Sequence, residues 1–156
     1  MMNDMYSVVL TVHSWMRWIT LVLATAATLS AIRQPAAGSL RLPGRWWDTF
    51  FMLAVDLQLF FGLVLYFGLS PFTKEAMTNI NAAMTNPALR FWAVEHAGGM
   101  FAAVVLVRMG RVLAANAVSP IAARNQRLTC FAIATLGMLV SIPWPGLSNG
   151  RPLFRL

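Results

Sequence analysis

The feature that most limits this chain is a set of four long apolar runs joined by short connections rich in arginine or proline. Runs of ~20 apolar residues with few charges are long enough to cross a hydrocarbon core of ~30 Å as helices. They fall at about residues 6–31, 47–69, 87–111 and 128–144. The first ends in the R-Q-P-A-A-G-S-L-R-L-P-G-R loop. The second begins at Trp46–Trp47 and stops at Ser70–Pro71. Asn86–Pro87 opens the third, a capping residue followed by proline at the first helical position. The fourth ends at P-W-P and is short unless Trp144 sits at the interface. The chain is 58% hydrophobic and 11% charged, against roughly 45–50% and 25% in soluble domains. The predicted fold is all-α: one domain over residues 1–156, forming an integral membrane four-helix up-down bundle.

Net charge is +7, and all but one of the 12 cations are arginine. Most of them flank apolar runs, so the excess points to membrane topology and anionic headgroups and gives no reason to expect nucleic acid. Arg33, Arg41 and Arg45 lie between runs one and two. Arg124 and Arg127 lie between runs three and four, with Arg108 and Arg111 just before them. The positive-inside rule then places these loops in the cytoplasm and both termini outside, in a bacterial inner membrane. The tail, with Arg151 and Arg155, runs mildly against that assignment. The first run lacks a basic n-region and a cleavage signal, and is expected to be a retained helix. The single cysteine, Cys130, excludes an internal disulfide and a cysteine-based metal cluster.

Orientation converts position into depth. His13 lies about 10 Å below the outer end of run one, and His96 about 7–8 Å below the same surface on run three. The only two histidines therefore fall at similar depth. Gly62, Gly98 and Gly99 lie near that level. Small residues there allow close helix packing, or leave side-chain-free wall for a flat macrocycle. Arg17, one turn beyond His13 on the same face, and Asp56 fall near mid-membrane, where unpaired charges are costly. An Arg17–Asp56 ion pair is predicted, with Gln58 or Glu95 as further partners; fixing helix register is an equally good account of such a pair. Glu95 is a candidate proton group. Trp15, Trp18 and Trp92 are candidate pocket walls or belt residues, and the methionines, including Met16 and Met100, are core filler before they are ligands.

Two imidazoles on facing helices suggest a b-type cytochrome, with His13 and His96 as axial ligands of one haem b near the outer face. Gly62 and Gly99 would then wall the group, and Arg17 and Arg90 would neutralise its propionates. The segments H-S-W-M-R-W (13–18), D-L-Q-L-F-F-G-L-V-L-Y-F (56–67), R-F-W-A-V-E-H (90–96) and I-P-W-P (142–145) resemble, in this order, a family of four-helix bacterial membrane proteins often labelled cytochrome b-like. The resemblance implies haem-ligand roles for His13 and His96. The alternative is an accessory subunit of a respiratory or photosynthetic membrane complex, without its own cofactor or with a bound pigment or quinone. A proton-coupled carrier is less favoured, because no repeat or broken-helix pair supports alternating access.

Overall fold

The computed structural model describes residues 2–33 and 44–155. Arg41 of the first expected cytoplasmic loop lies outside them. All regular structure among the described residues is helical. Helix α1 spans Met2–Ile32. Its 31 residues extend about 46 Å, so it overruns a ~30 Å hydrocarbon core. Helix α2 (Arg45–Leu63) continues without a break into a π-helical stretch, Val64–Leu69. There the ladder widens: Ser70 N–H donates to Leu65 O at 2.8 Å.

Ser70 and Pro71 then start α3 (Pro71–Thr78), and the Ser70 side chain caps Thr73 N–H. Asn79 caps α4 (Ile80–Thr85) through Ala82 N–H. Asn86 accepts from Ala88 and Leu89 N–H at the head of α5 (Pro87–Arg90). A second π-helical stretch, Phe91–Glu95, joins α5 to α6 (His96–Ala115). Helix α7 spans Pro120–Ser141, with Ser119 as its cap.

Three stretches, 3–32, 45–69 and 87–115, are long and apolar enough to cross a membrane. Helix α7 starts well before the expected apolar run at residue 128. Its first turns carry Arg124–Asn125–Gln126–Arg127, which lowers its hydropathy without interrupting the helix. The outward faces are as apolar as the interior: Val22, Leu29, Phe60, Phe67, Phe101 and Val140 are each more than half exposed. Water-facing surfaces rarely show apolar area this continuous.

Helix α1 packs on α2 and α7, and α6 packs on the same two, giving the cyclic order α1–α2–α6–α7. Ala24 and Ala27 let α1 approach closely, and Phe51 and Phe131 meet edge to face at 5.5 Å across the core. A Cβ on Gly110 would lie 2.7 Å from Cys130 Cβ, so α6 and α7 touch backbone to side chain there. Beyond α7 the tail turns back onto α1. The Trp18 Nε1–H and Arg17 Nη2–H donate to Leu153 O, Trp15 Nε1–H donates to Arg155 O, and Phe154 stacks on Trp18.

At the opposite end from this tail sits a closed polar knot. Arg127 is 1% exposed, and its Nε lies 2.9 Å from Asp48 Oδ2, while its Nη2 donates to Ser30 Oγ at 2.6 Å. The knot ties α7 to α2 and α1. Gly44 closes it with a φ of 67°, and a Cβ there would stand 2.8 Å from Ser30 Cβ, so both backbone and space require glycine. Arg124 donates from Nε and Nη2 to Ile32 O, capping the end of α1 beside it.

Candidate ligand-binding cavity

A stripe on α1, Tyr6–Leu10–His13–Arg17–Thr20, repeats at steps of four and three residues and so occupies one helix face. All five side chains line a cavity of about 300 Å³ in the half of the bundle away from the knot. Gln58 and Gly62, one turn apart on α2, form a second wall, and His96, Met100 and Val104 on α6 form a third. The π-helical stretches lie at the same level. Tyr66 O–H donates to Ala93 O at 2.9 Å and joins one to the other. Such local widening recurs at functional sites because the extra residue turns the following side chains about 100° around the axis.

His13 and His96 face each other across this space, with ring centroids 6.4 Å apart and planes at 73°. His96 Nδ1 is 2.8 Å from Ser141 O at the end of α7, so Nδ1–H donates and Nε2 keeps its lone pair. Phe91 and Trp92 flank the ring. Gln58 Nε2–H donates to His13 O at 3.1 Å and lies 3.2 Å from His13 Nε2. His13 Nδ1 is buried with no protein partner. So are Arg17 Nε, Thr20 Oγ1 and Gln58 Oε1, all on residues that line the cavity. Buried polar atoms are seldom left unpaired, so a group of them around one space calls for a partner there, whether water, an ion or a ligand.

The cavity is basic as well as apolar. Arg17, Arg151 and Arg155 line it, and among the described residues no Asp or Glu does. Arg151 stands over the rings of Phe72 and Trp92 at 5.1 Å from each centroid. No group of three or more His, Cys, Asp or Glu occurs among the described residues, so the donor set available here is the histidine pair.

Several expected roles change. The Arg17–Asp56 pair is not made: Asp56 Oδ1 accepts from Arg108 Nη2 at 2.7 Å, and Arg17 turns to the tail carbonyl of Leu153. Asp56 instead lies on the α2/α6 seam, turned about the α2 axis toward Arg108. Gln58 serves His13 rather than that pair. Arg90 and Glu95 bind each other at 2.7 Å on the exposed side and do not line the cavity, so neither faces His13. Of the glycines, Gly62 faces the site, 3.4 Å from His13 Cε1 to its would-be Cβ. Gly99 packs α6 on α7, where a Cβ would collide with the Ser141 side chain. Trp15 and Trp18 hold the tail, and Trp92 and Met100 line the cavity whereas Met16 does not. The arginines of the tail carried no motif, and only their position after P-W-P could have suggested that they fold back.

No family model, curated protein or solved structure matches the chain. The resemblance to cytochrome b-like membrane proteins therefore stands on its four segments alone, and function is argued from the cavity.

Proposed function

We propose that this chain is an integral membrane helical bundle that holds one haem b between His13 and His96 and serves as an electron-transfer protein or subunit. The observation that carries this reading is the facing histidine pair. With ring centroids 6.4 Å apart across one cavity, His13 and His96 are the residues that would hold the group. The residues present fit the group. The Ser141 carbonyl fixes His96 by its Nδ1–H and leaves Nε2 for a metal, the usual outer-shell arrangement for a ligating histidine. His13 has a buried, bare ring nitrogen. Gly62 leaves open wall beside it, and Arg17, Arg151 and Arg155 supply cations for two carboxylates.

When bound, such a group would supply a one-electron couple, and His13 and His96 are the residues that would hold it, a donor set suited to electron transfer. The chain's own part is to orient the two rings, exclude water with apolar walls and neutralise carboxylates at the cavity mouth. Arg33, Arg45 and Arg124 cluster at the knot end. By the positive-inside rule that end is cytoplasmic in a bacterial inner membrane, with both termini and the cavity toward the outer face. A reduced-minus-oxidised spectrum of the membrane-purified protein tests the reading. We expect a b-type α-band that disappears in His13→Ala and in His96→Ala. Wild-type protein made with ample haem and showing no Soret absorbance would leave the cofactor-free accessory subunit as the better account.

A further inference from the structure

Asp56 lies about midway along the 25-residue apolar stretch Arg45–Leu69. Arg108 lies nearer the knot end of α6, and helical side chains tilt toward their helix N-terminus, which carries its guanidinium back to the level of Asp56. The resulting ion pair is not inside the bundle. The Asp56 side chain is 32% exposed and that of Arg108 54%. Around it the outer surfaces of α2 and α6 carry Leu53, Leu57, Phe60, Val105 and Met109, all exposed. A full ion pair is thus set in an apolar face at mid-membrane depth. Charged groups at that depth face protein or water, because hydrocarbon solvates neither member. The cavity does not reach them, since neither residue lines it.

We propose that a second copy of this chain covers the α2/α6 seam, the two copies being related by a two-fold axis through the Asp56–Arg108 pairs. One acid and one base side by side form a self-complementary patch. A two-fold rotation sets each guanidinium against the other copy's carboxylate and closes a ring of four alternating charges. Polar groups bonded across helices are a principal source of association in membranes, where apolar contact alone gives little preference over lipid. Thr49 and Arg111, hydrogen-bonded at 3.3 Å along the same seam, extend the polar line toward the knot end. The inference rests on insertion of the chain in a bilayer and is independent of haem.

Native membranes bearing the full chain, with Cys130→Ser as background, test it by oxidative cross-linking. Single cysteines at Leu57 and Val105 report the seam, and cysteines at Val22 on α1 and Val140 on α7 are controls. We expect disulfide-linked pairs from at least one seam position and none from the controls. Differently tagged Asp56→Arg and Arg108→Asp chains are then expected to pair with each other when co-expressed. Each alone should self-associate about tenfold less than wild type. Equal cross-linking at Val22 or Val140, no cross-linking on the seam, or charge-reversed chains that pair no better together than apart would overturn the proposal. Apart from the near-isosteric Cys130→Ser background, which is shared by every chain compared, the cross-linking arm uses outward-facing substitutions, so it holds if a charge variant misfolds. Carbonate extraction of the same membranes separates the two premises: a chain released by carbonate overturns bilayer insertion and the pairing with it.

Discussion

The two polar centres of this molecule are built on opposite principles. At one end Arg127 and Asp48 are buried together, and Ser30 and Gly44 take further guanidinium N–H groups. At the other, His13, Arg17, Thr20 and Gln58 each keep a buried polar atom without a protein partner, and all four line one cavity. A knot whose donors and acceptors serve one another is accounted for by the fold itself. Its effect is to fix how α1, α2 and α7 meet. A cavity ringed by bare polar atoms has no such closure, and the proposed ligand would supply the missing partners. Burial and charge alone would have ranked Arg127 as the more suggestive residue; the state of the partners reverses that order.

The largest effect that can break this contrast lies in the knot. Removing one member of a buried pair strands the other, at a cost of about 3–5 kcal/mol, whereas removing both costs far less. Asp48→Leu and Arg127→Met singly are expected to lose about that much stability, measured by denaturant unfolding in detergent micelles. The double variant should recover most of it. Single variants within about 1 kcal/mol of wild type would mean that the knot is wet or dispensable.

A smaller effect sharpens the other side. Gly99→Ala drives a methyl into Ser141, whose carbonyl aims His96. Overpacking of this kind costs about 1–3 kcal/mol, and here it should also reduce haem retention, since orienting groups behind a ligand are worth about 10- to 100-fold in affinity. Adding Ser141→Gly removes the obstructing atoms and is expected to restore both. Rescue of stability without rescue of the haem spectrum would show that α7 packs against α6 but does not aim the histidine.

How much of this was legible in the sequence depends on which coordinate is asked for. Depth along the membrane normal can be counted from helix ends, and it placed His13 and His96 at one level. Rotation about a helix axis cannot be counted through two π-helical stretches that no sequence pattern announces, and so the facing of Glu95 and Gly99 was unreadable. Asp56 shows the same limit without a π-turn before it: counting residues could not tell that it faces Arg108 rather than Arg17. Arg127 was hidden for a different reason. Hydropathy marks the part of a helix that lies in hydrocarbon, and the polar turns Arg124–Arg127 resembled a loop although they begin a 22-residue helix. On α1, by contrast, the four-residue step from His13 to Arg17 was readable as one face, and the cavity extends that face to Tyr6, Leu10 and Thr20.

The smallest expected effect is the one that decides between the two principles. If His13 belongs to a binding site, the ligand-free chain should not depend on it for stability. His13→Ala removes a ring with one unpartnered buried nitrogen and one contact to Gln58, from a wall already open at Gly62. The backbone bond from Gln58 to His13 O survives the change. Losing a few ring contacts while relieving a bare polar atom should roughly cancel, leaving the haem-free protein within about 1 kcal/mol of wild type. In the haem-loaded protein the same substitution should abolish the stabilisation that the ligand adds by mass action, so the two preparations should unfold alike. A loss of about 3 kcal/mol or more in the haem-free chain would instead make His13 a member of a second structural knot. The distinction between the two ends of the molecule would then disappear.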